Sequence, residues 1–262
     1  ELALRSAASL RQRGVTPGDR VMLLSENRPE WGITYFGVLK AGAIVVPVDA
    51  QLPLGDLVNV LRSSRARVAV VSDKQAIRLA EDAGGNGKST AAAGRALLET
   101  RAREANLECK CIPFEDTLGE PAVSPGALVH QPKGDDIASL IYTSGTTGNP
   151  KGVMLSHRNF SSLISKLAGV FDLNRHDGLL SVLPLHHTLE FAAGLLMPLM
   201  RGAQVSYMAE TSTEALQEAF DEGGITGMVG VPALWQLLER KIEKQFSDRG
   251  PWWARAFRGL TD

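Results

Sequence analysis

The chain has 262 residues, 44% of them apolar and 22% charged, and 28 basic against 29 acidic side chains leave a net charge of −1. That length and composition suit an α/β protein with a sizeable core, in one large domain or two smaller ones. A near-neutral balance carries no electrostatic footprint for nucleic acid and excludes it as a partner of the whole chain.

The first residue is Glu1, and Leu2-Ala3-Leu4 already reads as the inside of an amphipathic helix. No signal peptide is present, so the expectation is a chain that starts partway through a larger protein. Arg20–Leu24 reads as a strand after the turn Pro17-Gly18-Asp19. A helix should follow, with Asn27 as N-cap, Pro29 in its first turn, Gly42 beyond its end, and Trp31, Tyr35, Val38 and Leu39 on its apolar face. Ala43–Pro47 is the next strand, apolar throughout as a strand covered on both faces should be. Leu54, Leu57, Val58 and Leu61 mark a second amphipathic helix, and Arg67–Val71 a third strand. This βαβαβ series predicts a parallel, doubly wound sheet.

From Ala83 to about Ala105 the texture turns to Gly, Ala and Ser with scattered charge, and reads as a surface insertion ending in a short helix. It holds Gly84-Gly85-Asn86-Gly87-Lys88-Ser89, but a Walker loop needs glycine five residues before Gly87, where Asp82 stands, and no apolar strand leads into it. An NTP hydrolase built on Lys88 is therefore disfavoured. The only cysteines, Cys109 and Cys111, stand two apart, where a disulfide would be strained, and they predict a reduced, cytoplasmic setting. Glu115–Asp136, with three prolines and three glycines, reads as a linker or long surface crossing.

Beyond it the strand/helix alternation resumes. A strand Ile137–Tyr142 enters a glycine-rich run, and Gly152–Leu155 leaves it as another short strand. A helix over about Arg158–Val170, with His157 at its start, precedes a strand at Leu179–Leu183 and a helix at Leu189–Met200. Leu179–Met200 is apolar and long enough to suggest a membrane span, but Pro184, His186, His187, Glu190 and Pro198 would be costly in lipid. A buried strand and a buried helix explain it better. A strand Gln204–Tyr207, a helix opened by the capping-box pair Thr211 and Glu214, a strand Ile225–Val229 and a helix from Pro232 complete the pattern.

The run Tyr142-Thr143-Ser144-Gly145-Thr146-Thr147-Gly148-Asn149-Pro150-Lys151-Gly152 is the most informative stretch. Glycines let the backbone approach a ligand closely, hydroxyls and free N–H groups point at phosphate oxygens, and lysine adds a point charge. The run lies between two strands rather than between a strand and a helix, so hydroxyls carry more of the cradling than a helix terminus does. No Gly-x-Ser-x-Gly elbow supports a serine hydrolase, and the five histidines show no metal-ligand spacing.

Tyr142–Val153 resembles the phosphate-loop signature of the adenylate-forming superfamily, which includes acyl-CoA synthetases, luciferases and peptide-synthetase adenylation domains. Further blocks are similar and in the same order: Arg13–Val21, Asn27–Trp31, Gly37–Ala43 with Pro47-Val48, Leu183–Glu190, and Val231–Trp235. The His-x-x-Glu form of Leu183–Glu190 looks most like the long-chain fatty acyl-CoA synthetases. The resemblance implies an α/β fold of two doubly wound, mainly parallel sheet subdomains with helices on both faces. It divides the chain into a first subdomain at 1–114, a linker at 115–136 and a second subdomain at 137–262. It also implies ATP with Mg2+ and CoA as cofactor and co-substrate, a fatty acid substrate, and a two-step reaction. A carboxylate attacks the α-phosphorus of ATP to give acyl-adenylate and pyrophosphate, and a thiol then displaces AMP.

Residue by residue, the resemblance assigns phosphate binding to Thr143, Ser144, Thr146 and Thr147, with Gly145 and Gly148 allowing close backbone contact. Lys151 would counter charge on the leaving pyrophosphate. His187 would sit between ATP and the carboxylate, and Glu190 would support that site or contact the acyl group. Read without the resemblance, Lys151 is a solvated lysine after a turn, His187 a hydrogen-bonded core histidine, and Glu190 a favourable helix-opening residue. His186 is expected to point elsewhere. The basic, aromatic end (Arg249, Trp252, Trp253, Arg255, Phe257, Arg258) suggests contact with a membrane carrying the fatty substrate, against the plainer reading of a helix edge. The family's later blocks, Tyr-Gly-x-Thr-Glu, a Thr-Gly-Asp ribose contact and a C-terminal lysine, are not in the sequence. The chain is therefore expected to be the front part of such an enzyme and inactive alone. Competing readings are a non-catalytic nucleotide-binding module, an acyl-carrier-protein synthetase, or another acyl- or aryl-CoA ligase. Nothing in the sequence specifies an oligomeric state.

Overall fold

Apolar runs of four or five residues build three adjacent strands of the larger sheet. A computed structural model describes residues 1–85, 89–119, 130–143, 151–208, 213–222, 224–248 and 250. Its strands are β1 (Arg20–Leu24), β2 (Ile44–Pro47), β3 (Val68–Val71), β4 (Lys110–Pro113), β5 (Ile137–Thr143) and β6 (Lys151–Ser156), in the order β4-β3-β1-β2-β5-β6. All neighbours run parallel except β5 and β6, which form an antiparallel pair. Strand residues alternate between two cores. Val21, Leu23, Val45 and Val70 face one side, with α1 (Leu2–Gln12) and α2 (Pro29–Lys40). Met22, Leu24, Val46 and Val71 face the other, with α3 (Leu54–Ser64), α4 (Asp73–Asp82) and α5 (Ala91–Glu104). Helices on both faces explain why these strands lack the polar alternation of a half-exposed sheet.

The expected surface insertion at 83–105 is instead largely α5, a packed helix. Thr90 caps it by accepting from the Ala93 amide at 3.2 Å, and Leu98 and Ala102 are fully buried. Its alanine- and glycine-rich face shows little hydrophobic contrast, so periodicity hides it, yet small residues are what let it lie close on α4. A methyl group at Gly94 would overlap the backbone carbonyl of Ala76. Gly94→Ala should therefore destabilise the protein by about 2 kcal/mol through overpacking, although alanine favours an isolated helix by about 1 kcal/mol. Denaturant unfolding of the variant measures the balance, and a stabilised variant would contradict the close crossing. Strand β4, which follows α5, has no counterpart in the sequence reading; it is short and has a half-exposed edge.

Part of the 115–136 crossing is tied down. A 3-10 turn at Glu115–Thr117 buries Thr117 against Thr34, the two hydroxyls 3.1 Å apart, and the His130 amide donates to Lys40 O at 2.8 Å. Beyond the crossing, β5 and β6 join the first sheet. The chain changes sheet only after α6 (His157–Ala168), so the sheet boundary does not fall at 115–136.

The second sheet holds β7 (Gly178–Ser181), β8 (Gln204–Tyr207) and β9 (Gly227–Met228), parallel in the order β8-β7-β9. The architecture is the mainly parallel α/β fold expected, with β7 and β9 shorter than their apolar runs. The apolar segment 179–200 resolves into β7, a turn, a π-helical segment Glu190–Leu196 and α7 (Met197–Arg201). No helix among the described residues is long and apolar enough to cross a membrane. Helices α8 (Thr213–Glu222) and α9 (Pro232–Asp248) follow. Thr211, Lys88, and the terminal Arg249, Trp252, Trp253, Arg255, Phe257 and Arg258 lie outside the described residues.

Candidate active site

The glycine-rich run is closed by the β5–β6 hairpin. Its last pairs are Tyr142 with Gly152 and Thr143 with Lys151, so both ends of the run leave the same edge of the sheet. A strand–loop–strand arrangement is what the sequence predicted. Ser144, Gly145, Thr146, Thr147 and Gly148 themselves lie outside the described residues. Lys151 is exposed where β6 begins. Gly152 admits the Tyr142 ring across the pair: a methyl there would stand 3.1 Å from Tyr142 Cζ. This is an aromatic side chain covering a strand glycine.

The exit from the hairpin is fixed by a capping box. Ser156 Oγ accepts from the Asn159 amide at 3.2 Å, while Asn159 Oδ1 accepts from the Ser156 amide at 2.9 Å. His157 opens the helix, as the sequence implied, and burial holds its imidazole below the ordinary pKa despite Asp136.

A second element that carries candidate residues is the turn between β7 and the π-helical segment. Asn27 does not cap α2. Its Nδ2 donates to Leu183 O at 2.7 Å and to Ser181 Oγ at 3.4 Å, and its Oδ1 accepts from the Leu185 amide at 2.9 Å. Helix α2 starts without a side-chain cap, with Arg28 at the N-cap and Pro29 inside the first turn. A residue after β1 therefore brackets the turn after β7, across the space between the two sheets.

On that turn His186 and His187 lie with ring centroids 4.0 Å apart. His186, expected to point elsewhere, lines the inter-sheet cleft, with Nε2 4.0 Å from Asp49 Oδ2. Burial and the neighbouring His187 push its pKa down to about 4, so the ring is neutral and Asp49 gains little from it. His187 is exposed, and its carbonyl accepts from the Phe191 amide at 3.0 Å. Glu190 is fully buried, and neither carboxyl oxygen has a hydrogen-bond partner among the described residues. Burial pushes its pKa up to about 7, only partly opposed by the Ser181 hydroxyl and the Leu183 backbone, neither of which completes a well-formed hydrogen bond. No hydrogen bond or ion pair among the described residues joins Lys151 to His187 or Glu190.

The inter-sheet cleft, of about 240 Å³, opens beyond the C-terminal ends of β1, β2, β3, β7 and β8, lined by Glu26, Asn27, Asp49, Lys74, Ser181 and His186 among others. In open α/β sheets this is where ligands bind. The family model described as AMP-binding enzyme matches residues 1–256. The chain belongs to the AMP-binding enzyme family. It is 32% identical over 234 residues to feruloyl-CoA synthase of an Amycolatopsis species, covering 89% of this chain and 43% of that protein. It is 30% identical over 247 residues to the long-chain-fatty-acid–CoA ligase FadD13 of Mycobacterium tuberculosis, covering 92% and 45%. Among solved structures, the inhibitor-bound N-terminal domain of FACL13 from Mycobacterium tuberculosis superposes with a TM-score of 0.71 at 25% identity, over 91% of this chain and 56% of that one. O-succinylbenzoate coenzyme A synthetase (MenE) of Bacillus subtilis, in complex with AMP, shares the fold with a TM-score of 0.72 at 20% identity, over 92% and 56%. The chain spans less than half the length of these curated relatives.

For an AMP-binding enzyme the geometry offers a cationic hairpin end and a cleft with acidic, basic and neutral imidazole groups. Among the described residues no three His, Cys, Asp or Glu side chains gather as a metal site. Sequence reasoning missed Asn27 as a bracket, and Asp49, Ser181 and Gly194 altogether. The signal for Asn27 was its place just past a strand end, which fits a cap and a bridge equally well.

Proposed function

We propose that this chain supplies the phosphate-gripping loop and one wall of the carboxylate site of an ATP-dependent ligase that joins a fatty acid to coenzyme A. The observation that carries the reading is the β5–β6 hairpin, which sets Thr143 and Lys151 at the two mouths of the hydroxyl- and glycine-rich run. Thr143, Ser144, Thr146 and Thr147 would hold the β- and γ-phosphates, Gly145 and Gly148 would admit them closely, and Lys151 would neutralise charge on the departing pyrophosphate. His187 would lie between nucleotide and carboxylate. The donor set fits a polyphosphate: neutral hydroxyls, glycines that admit a ligand closely, and one lysine. It offers magnesium no carboxylate cage, so that ion would be held through the phosphate oxygens.

A fatty acyl group is supported by the His187-x-x-Glu190 form and by the likeness to FadD13. An apolar groove of about 320 Å³, lined by Tyr35, Phe36, Phe160, Ile164, Phe191 and Met200 among others, suits the same chemistry. An aromatic acid is the second reading, favoured by the likeness to feruloyl-CoA synthase and to a rice 4-coumarate–CoA ligase at 30% identity. ATP–pyrophosphate exchange by the whole protein, run with hexadecanoic, ferulic and acetic acids, separates the two. Exchange is expected with hexadecanoate; exchange with ferulate alone selects the second reading. Nucleotide binding without exchange on any acid would mean a non-catalytic module.

A further inference from the structure

Glu190 and Phe191 are consecutive residues of the π-helical segment, and they anchor it on two sides by opposite chemistry. Phe191 enters an aromatic cluster, its ring centroid 4.4 Å from that of Tyr35 and 5.3 Å from that of Phe160. Glu190 turns toward the second sheet. Its carboxyl lies flat against Gly194, where a methyl would stand 2.6 Å from Cδ and closer still to Oε1. Ser181, at the end of β7, is also buried, and its oxygen accepts weakly from Asn27, which leaves the Ser181 proton free to donate. Tyr207, on β8, is the titratable group facing Glu190 from a neighbouring element, and no charged side chain among the described residues acts on the carboxyl.

A carboxyl with no exposed surface cannot contact nucleotide or acyl chain, yet burying it without strong partners costs too much for an incidental residue. We infer that Glu190 is a positioning residue: clamped beneath Gly194 and set against Ser181, it seats the π-helical turn and so aims His186, with His187 beside it, at the cleft. Asn27 bonds Ser181 across the two sheets, and Ser181 stands beside the Glu190 carboxyl without a well-formed hydrogen bond to it. The link to catalysis rests on the ligase reading; the link to histidine geometry does not.

The test uses both. In the chain itself, the imidazole nitrogen resonances of His186 and His187 should shift in Glu190→Gln and in Gly194→Ala. Unchanged resonances in both variants would overturn the inference. In exchange assays with the whole protein, Glu190→Gln should lower kcat about tenfold with the KM for ATP unchanged. It should also flatten the pH profile. In the wild type the carboxyl, protonated at acid pH, ionises as pH rises toward and past about 7 and its seat weakens, while glutamine stays neutral. A lowered kcat with the wild-type pH profile retained would mean an ordinary structural role and would also overturn it. Gly194→Ala should be rescued in part by Glu190→Ala, because removing the carboxyl removes the overlap; additive losses would argue against the clamp. Wild-type protein without acid-dependent exchange would remove the ligase reading and leave the resonance measurement decisive.

Discussion

Replacing Lys151 with alanine should slow acyl-adenylate formation by about 10²–10³-fold, the usual cost of deleting one group that neutralises transition-state charge. Thioester formation from supplied acyl-adenylate should change far less, because pyrophosphate has already left. Folding should be unaffected, since Lys151 is exposed at the start of β6. Thr147→Ala should act in the same direction more weakly, as loss of a neutral hydrogen bond is worth less than loss of a charge-assisted one. Single-turnover measurement of the two half-reactions checks this. Equal slowing of both would show that Lys151 does not serve the departing phosphates, and the proposed role of the hairpin would fail with it.

Asn27→Ala should be the most damaging single change to the cleft that leaves every proposed ligand group in place. It removes two short hydrogen bonds and leaves Leu183 O and the Leu185 amide without their partner. Two such losses in a part-buried site amount to about 2–4 kcal/mol. For a chain of this size that is a melting shift of about 5–10 °C. Because the bonds join an element of one sheet to a turn of the other, the β7 turn should also lose protection from hydrogen exchange more than β1 does. Asn27→Asp separates the two halves of the bracket: it can still accept from Leu185 but cannot donate to Leu183. An Asn27→Ala protein as stable as the wild type would mean that the turn is held by its own packing.

How far each feature was legible depends on the distance over which it is determined. The strands β1, β2 and β3 and the helices between them follow from short apolar runs and helical spacing, and the structure holds them nearly where periodicity places them. The two strands flanking the glycine-rich run were equally readable, because apolar and β-branched residues favour extended backbone locally, whereas their antiparallel pairing was not read. Helix α5 was misread because close packing at Gly94 favours small residues, which carry little hydrophobic signal. The entry of β5 and β6 into the first sheet was missed because strand order is a choice among distant partners.

Amino-acid order alone, then, set most of where the backbone extends and coils, and gathered hydroxyls, glycines and a lysine into one short run between two strands, since neighbouring residues decide those things among themselves. Folding in three dimensions decided what Asn27, His186 and Glu190 do. Asn27 meets Leu183 and Leu185 across more than 150 intervening residues, His186 turns into the cleft, and Glu190 loses its water beneath Gly194. Burial and long-range hydrogen bonds arise only when remote segments come together, and no local pattern encodes them.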